Sequence, residues 1–126
     1  MERRLISGHS PYEPVAGFSR AVVAGGEVHV AGTAPIPAEG DPPAGAYEQA
    51  RLCLELVGTA LERAGAGYGD VVRTRLYLTD ASDWEDVARA HGEVFSEIRP
   101  ASTAAVVAGL LDPRWRVEIE AEAVLP

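Results

Sequence analysis

Hydrophobic and polar positions along this chain repeat with two different periods. Val71 to Leu78 alternates strictly, with Val72, Thr74, Leu76 and Leu78 on one side and Val71, Arg73, Arg75 and Tyr77 on the other, the pattern of a half-buried strand. Arg114 to Val124 does the same, setting Trp115, Val117, Ile119, Ala121 and Ala123 against Arg116, Glu118, Glu120 and Glu122. Ala46 to Ala64 instead places Ala50, Cys53, Leu54, Val57 and Leu61 at helical spacing, and Gly65-Ala66-Gly67 ends it. Ser82-Asp83-Trp84-Glu85 reads as a capping box that opens a second helix with Trp84, Val87, Ala88, Val94, Phe95 and Ile98 as apolar positions, and Arg99-Pro100 closes it.

Shorter apolar runs supply the remaining strands. Arg3 to Ser7 reads as a first strand, followed by a loop marked by Gly8, Pro11 and Pro14. Phe18 to Ala24 and Glu27 to Ala31 flank Gly25-Gly26, a pair suited to the positive backbone angles of a tight hairpin. Thr33 to Gly45, with four prolines and two glycines, reads as a loop, and Thr103 to Val107 as a further strand. The order β-β-β-α-β-α-β-β predicts an α+β sandwich, a mixed sheet with two helices packed on one face. The uncovered face then carries Glu27 and His29, Arg73 and Arg75, and Glu118, Glu120 and Glu122. Such a face suits either water or the polar inner interface of a symmetric oligomer.

Composition narrows the function classes. At 126 residues, 47% hydrophobic and 24% charged, with no linker, repeat or low-complexity run, the chain is expected to form one domain over 1–126. Neither a secretory h-region nor an apolar run of membrane-spanning length occurs in the sequence, so a cytoplasmic protein without membrane partners is expected. The net charge of −8 opposes nucleic-acid binding, which begins with phosphate neutralisation. Lysine and asparagine are both missing and all 11 basic residues are arginine, which excludes a Schiff-base lysine, a phosphate-loop lysine and an asparagine-built oxyanion hole. Cys53 is the sole cysteine and falls in the helical stripe as a buried structural thiol. His9 and His29 are too far apart, and too poorly supported by acidic ligand spacing, to suggest zinc; no metal and no cofactor is expected.

Three stretches then resemble the Rid/YjgF family of small imine and enamine deaminases. They are Gly17-Phe18-Ser19-Arg20-Ala21-Val22 with Val28 to Thr33, the central Gly69 to Asp80, and Arg99-Pro100-Ala101-Ser102-Thr103 with Val117 to Ala121. The resemblance implies a chorismate-mutase-like fold, a homotrimer around a central barrel, and three small clefts between subunits that take a small metabolite. In the family deaminases an arginine pairs with the substrate carboxylate, a bidentate task suited to guanidinium geometry. A glutamate of the last strand positions the attacking water, and a tyrosine lines the cleft. Glu120 matches the glutamate, whereas Ser102 stands at the arginine position, Phe18 at the tyrosine and Ala88 where an asparagine is frequent. The resemblance therefore implies either a hydrolytic deaminase of altered specificity or a non-catalytic metabolite-binding protein that keeps the fold.

Each candidate residue has two readings. Glu120 is the candidate catalytic base, or a carboxylate paired across the sheet with Arg73 or Arg75. Ser102 and Thr103 can donate hydrogen bonds to a ligand, although no base lies nearby in sequence to make either a nucleophile. Arg20 and Arg75 are the candidates to restore the missing positive charge, or else form ion pairs. His91, at the edge of the second helix's apolar stripe, is a ligand contact or a satisfied, partly buried imidazole. Gly32 and Thr33 end the third strand where, by resemblance, the backbone faces the cleft; Gly32 N–H could hold an anion, or the glycine simply permits a turn. By the same resemblance, Phe18 is expected to line the cleft with a ring that lacks the tyrosine hydroxyl.

Overall fold

The computed structural model of the chain describes Glu2–Pro126. Its strands are β1 (Arg3–Ile6), β2 (Ala21–Ala24), β3 (Glu27–Thr33), β4 (Val71–Leu78), β5 (Ala101–Val106) and β6 (Val117–Val124), with α1 (Ala46–Ala64) and α2 (Trp84–Phe95) between them. The strands form one sheet in the order β1-β2-β3-β6-β4-β5, antiparallel throughout except for β4 beside β5. The expected mixed α+β architecture is present: Val28, Val30, Leu76, Leu78, Val117, Ile119 and Ala121 meet Ala50, Leu54, Val57, Leu61, Val87 and Phe95 from the helices in one core.

Local chemistry explains several boundaries. Gly25 and Gly26 both take positive φ, as the β2–β3 hairpin requires. Gly65 ends α1 with φ of 92°, while Ala66 N–H returns to Leu61 O at 2.8 Å, so the last turn's carbonyls are satisfied. Buried Gln49 donates to Pro43 O (2.7 Å) and Arg114 O (2.9 Å) and accepts from Arg116 N–H (2.7 Å). One amide thereby ties the proline-rich loop to the start of β6. The Cys53 thiol is fully buried, and burial pushes its pKa up, as the reading of a structural thiol expects.

The structure departs from the sequence pattern where irregular backbone intervenes. Phe18–Arg20 lies outside β2, because a single π-helical turn at Glu13–Gly17 precedes it. The β4 alternation breaks at its start: a bulge pairs Val71 with Ala123 and Arg73 with Glu122, turning Val71 inward and leaving Val72 50% exposed. Residues Ser82–Glu85 form no capping box; Asp80 caps a 3-10 turn at Ala81–Asp83 by accepting from Ser82 N–H at 2.8 Å. Trp84, expected in the apolar stripe, is 46% exposed. Strand β5 begins two residues earlier than expected, and all six of its residues are exposed along the sheet edge. Among the described residues no helix is long and apolar enough to cross a membrane.

Candidate active site

The sheet face away from the helices gathers the charges that alternation assigned to it. Register sets His29 beside Glu122, Arg73 beside Glu122, and Arg75 beside Glu120. Arg75 Nη1 lies 2.7 Å from Glu122 Oε1 and 3.4 Å from Glu120 Oε1, so one guanidinium serves two carboxylates. The Tyr77 hydroxyl donates to the same Glu120 oxygen at 2.8 Å. That bond, with burial and the negative charge, pushes the phenol's pKa up, whereas Arg75 holds the Glu122 carboxyl below its ordinary value.

The backbone opposite Glu120 is irregular. Val30 pairs with Ala121 and Thr33 with Ile119, so Ala31 and Gly32 together face the single residue Glu120 in a β-bulge. The Glu118 side chain folds over Gly32: a Cβ there would meet its carboxylate oxygen at 2.5 Å. Arg20 donates from Nη2 to the Gly32 carbonyl, and its charge sits near Glu13 and Glu118. Burial pushes the Glu118 carboxyl up while Arg20 opposes the shift. The Thr33 hydroxyl, fully buried, donates to Ala31 O at 2.8 Å.

An open groove of about 660 Å³ runs over this region. Its walls include Leu5, Glu13, Pro14, Phe18, His29, Arg75, Glu120 and Glu122. The π-helical turn sets the groove's rim, because it delivers Glu13 and Pro14 at one end and leads into Phe18 at the other.

Of the sequence candidates, Phe18, Arg75 and Glu120 meet in this groove. Gly32 forms part of the bulge and accepts from Arg20, while Thr33 follows it and donates to Ala31 O, so all three are engaged within the protein. Thr103 stands on the edge strand, accepting from Arg73 Nη2 at 2.7 Å. Ser102 and His91 belong to the opposite face of the sheet, where Thr74 joins them: its hydroxyl is 2.8 Å from Ser102 Oγ and 2.9 Å from His91 Nε2. Burial lowers the His91 pKa, and its ring packs 4.7 Å from that of Phe95. Tyr77 was not among the sequence candidates, although its alternation with Arg73 and Arg75 carries the signal. Glu27, His29 and Glu122 bring possible ligand atoms within 4.8 Å of one another, a grouping invisible in the separation of the histidines. Arg75 already occupies one Glu122 oxygen there.

The chain is similar to known proteins in sequence and in fold. The chain is 42% identical over 126 residues to an uncharacterized protein of Streptomyces coelicolor, covering 96% of this chain and 90% of that one. It is 34% identical over 125 residues to the 2-iminobutanoate/2-iminopropanoate deaminase of Capra hircus, covering 97% and 90% respectively. The crystal structure of a YjgF/YER057c/UK114 family member from Mycobacterium tuberculosis superposes with a TM-score of 0.91 at 40% identity, covering 98% of this chain and all of that one. The family model described as Endoribonuclease L-PSP matches residues 8–125. With the fold, the length of the match and the identities in agreement, the chain belongs to the Rid/YjgF family.

Proposed function

We propose that this protein is a small-metabolite hydrolase that acts on imine or enamine C–N bonds, with Glu120 orienting the attacking water and with a specificity altered from that of the deaminases it resembles. The observation that carries this reading is the fixed carboxylate: Glu120 is held by Tyr77 and Arg75 in an open groove, opposite a backbone bulge. Water adds to the imine carbon and its proton passes to nitrogen; the C–N bond then breaks, leaving a carbonyl product and ammonia. Glu120 accepts the water proton and Tyr77 keeps the carboxylate from rotating away.

The working unit in this reading is a homotrimer. The exposed β5 edge offers unpaired backbone and the residues Ala101, Ala104, Ala105 and Val106, a surface that natural sheets cover or pair. Ser102 and Glu120 occupy opposite faces of one chain's sheet, so a cleft using both needs a second copy. A net charge of −8 per chain argues against nucleic acid as the substrate, despite the family model's description.

The competing reading is a metabolite-binding protein without catalysis. It is favoured by Ser102, Phe18 and Ala88, which together remove a guanidinium, a hydroxyl and an amide from the cleft that the resemblance implies. Turnover of a panel of imines, generated in solution and followed by ammonia release, separates the two. Hydrolysis that Glu120→Gln abolishes supports the enzyme; a wild-type rate equal to that of buffer with every imine overturns it. Light scattering that gave a monomer mass would remove the intersubunit cleft from both readings.

A further inference from the structure

Behind the β5 edge, three side chains from three elements form a continuous hydrogen-bonded chain that the groove does not use. His91 of α2 approaches the Thr74 hydroxyl of β4 at 2.9 Å, and Thr74 donates to Ser102 Oγ of β5 at 2.8 Å. Thr74 at its centre is fully buried, His91 at one end is half-buried, and Ser102 at the other end is exposed. The chain thus passes through the core at Thr74 and is most open to the surface at the Ser102 hydroxyl.

We propose that the His91–Thr74–Ser102 chain makes Ser102 the recognition point for an uncharged hydrogen-bonding group of the ligand, a carboxamide or hydroxyl, with His91 acting through Thr74 as the positioning residue. This rests on the reading that Ser102 borders the ligand cleft, and it specifies which ligand class that cleft takes.

Charge is the first reason. Ser102 and Thr74 are neutral, and burial drives His91 toward its neutral form, so the chain brings no positive charge to the position. The nearby Arg73 guanidinium is committed to Thr103 Oγ1 on the other side of the sheet. A carboxylate seated at Ser102 would lose its hydration without gaining a counter-charge, a cost that an amide or hydroxyl does not incur.

Adaptability is the second. When His91 Nε2–H donates to Thr74, Thr74 donates to Ser102 and the Ser102 proton is free for the ligand. With the proton on Nδ1, Thr74 donates to Nε2, Ser102 donates to Thr74, and Ser102 presents lone pairs instead. The same three residues can therefore match either a carbonyl acceptor or an N–H or O–H donor. A guanidinium offers only donors and a fixed charge.

The test uses lactamide and lactate as matched unreactive probes, titrated into the assembled protein while the His91 imidazole nitrogens and the Ser102 amide are followed by NMR. Lactamide should give saturable shifts at both residues with a Kd about tenfold below that of lactate, the worth of roughly one well-made hydrogen bond. Thr74→Val, which keeps the buried shape, should bring the ratio to about one, Thr74→Ser should restore it, and Ser102→Arg should reverse the preference. Equal or tighter binding of lactate to the wild type, no saturable shift with either probe, or an unchanged ratio in Thr74→Val would overturn the proposal. Binding is measured without turnover, so its failure is separable from failure of the Glu120 mechanism. If no imine is hydrolysed but the lactamide preference holds, the specificity proposal stands and the hydrolase reading falls.

Discussion

The Tyr77 hydroxyl donates to Glu120 Oε1 at 2.8 Å, from a strand position diagonal to the carboxylate and not directly opposite it. The bond stabilises the neutral phenol, so Tyr77 should ionise above the ordinary tyrosine value of 10. Glu120→Gln removes the charge and should lower that ionisation, read from the phenolate absorbance in an alkaline titration. In the hydrolase we propose, Tyr77→Phe should slow imine hydrolysis by about tenfold, the loss of one hydrogen bond to a charged group, while the melting temperature changes by only a few degrees. An unchanged rate would show that Arg75 alone orients the carboxylate.

Arg75 depresses the Glu122 carboxyl, chiefly through their 2.7 Å hydrogen bond. A depressed folded-state pKa contributes stability that is present above the unfolded value and is lost as pH falls through the folded one. Arg75→Met should therefore be less stable than wild type near neutrality, by a small margin for a pair this exposed. The difference should shrink as pH is lowered below the ordinary glutamate range. Urea unfolding at several pH values checks both the size and the direction.

His91 has the opposite chemistry and a different window. Burial lowers its folded-state pKa below 6.5, so the unfolded chain binds the proton more readily. Stability should fall as pH drops from 6.5 toward the lower folded value, and His91→Gln should flatten that slope. The same urea series measures it, and a slope unchanged in the variant would show that another group titrates there.

Gly58 should reverse a familiar substitution rule. Within a helix, replacing glycine by alanine ordinarily stabilises by about 1 kcal/mol. Here a Cβ would meet Tyr68 Cζ at 2.7 Å, and the ring cannot swing away freely because its hydroxyl donates to Leu54 O at 2.7 Å and it stands in a T-shaped contact with Phe95. Gly58→Ala should destabilise by about 1–3 kcal/mol, as overpacking does. Adding Tyr68→Ala should recover part of that loss if the ring is the obstacle, which a thermal-unfolding cycle measures.

Regular elements were legible in the sequence because their burial repeats with the backbone's own period. Helix α1 and strand β4 have the boundaries that the pattern predicts, and the charged residues of β3, β4 and β6 share one face as alternation requires. Where a bulge or a tight turn inserts a residue, period counting loses register: Val71 and Val72 exchanged sides, and Phe18 left its strand. Trp84 shows a related limit, since an apolar residue in the first turn of a helix need not reach the core.

The candidate site divides along the same line. Glu120, Arg75 and Phe18 were identifiable from alternation and family resemblance, and they meet in the groove. Tyr77 owes its place to diagonal contact across two strands, and the Ser102–Thr74–His91 chain to a parallel strand pairing and a helix laid over it. By itself the sequence determined the elements, the polar sheet face and the family, because these depend on local periodicity and on motifs contiguous in the chain. Only the tertiary structure decided which carboxylate Arg75 and Tyr77 hold, and that a neutral hydroxyl relay lies behind Ser102. Hydrogen bonds of about 3 Å depend on the convergence of residues distant in sequence, which no local pattern specifies.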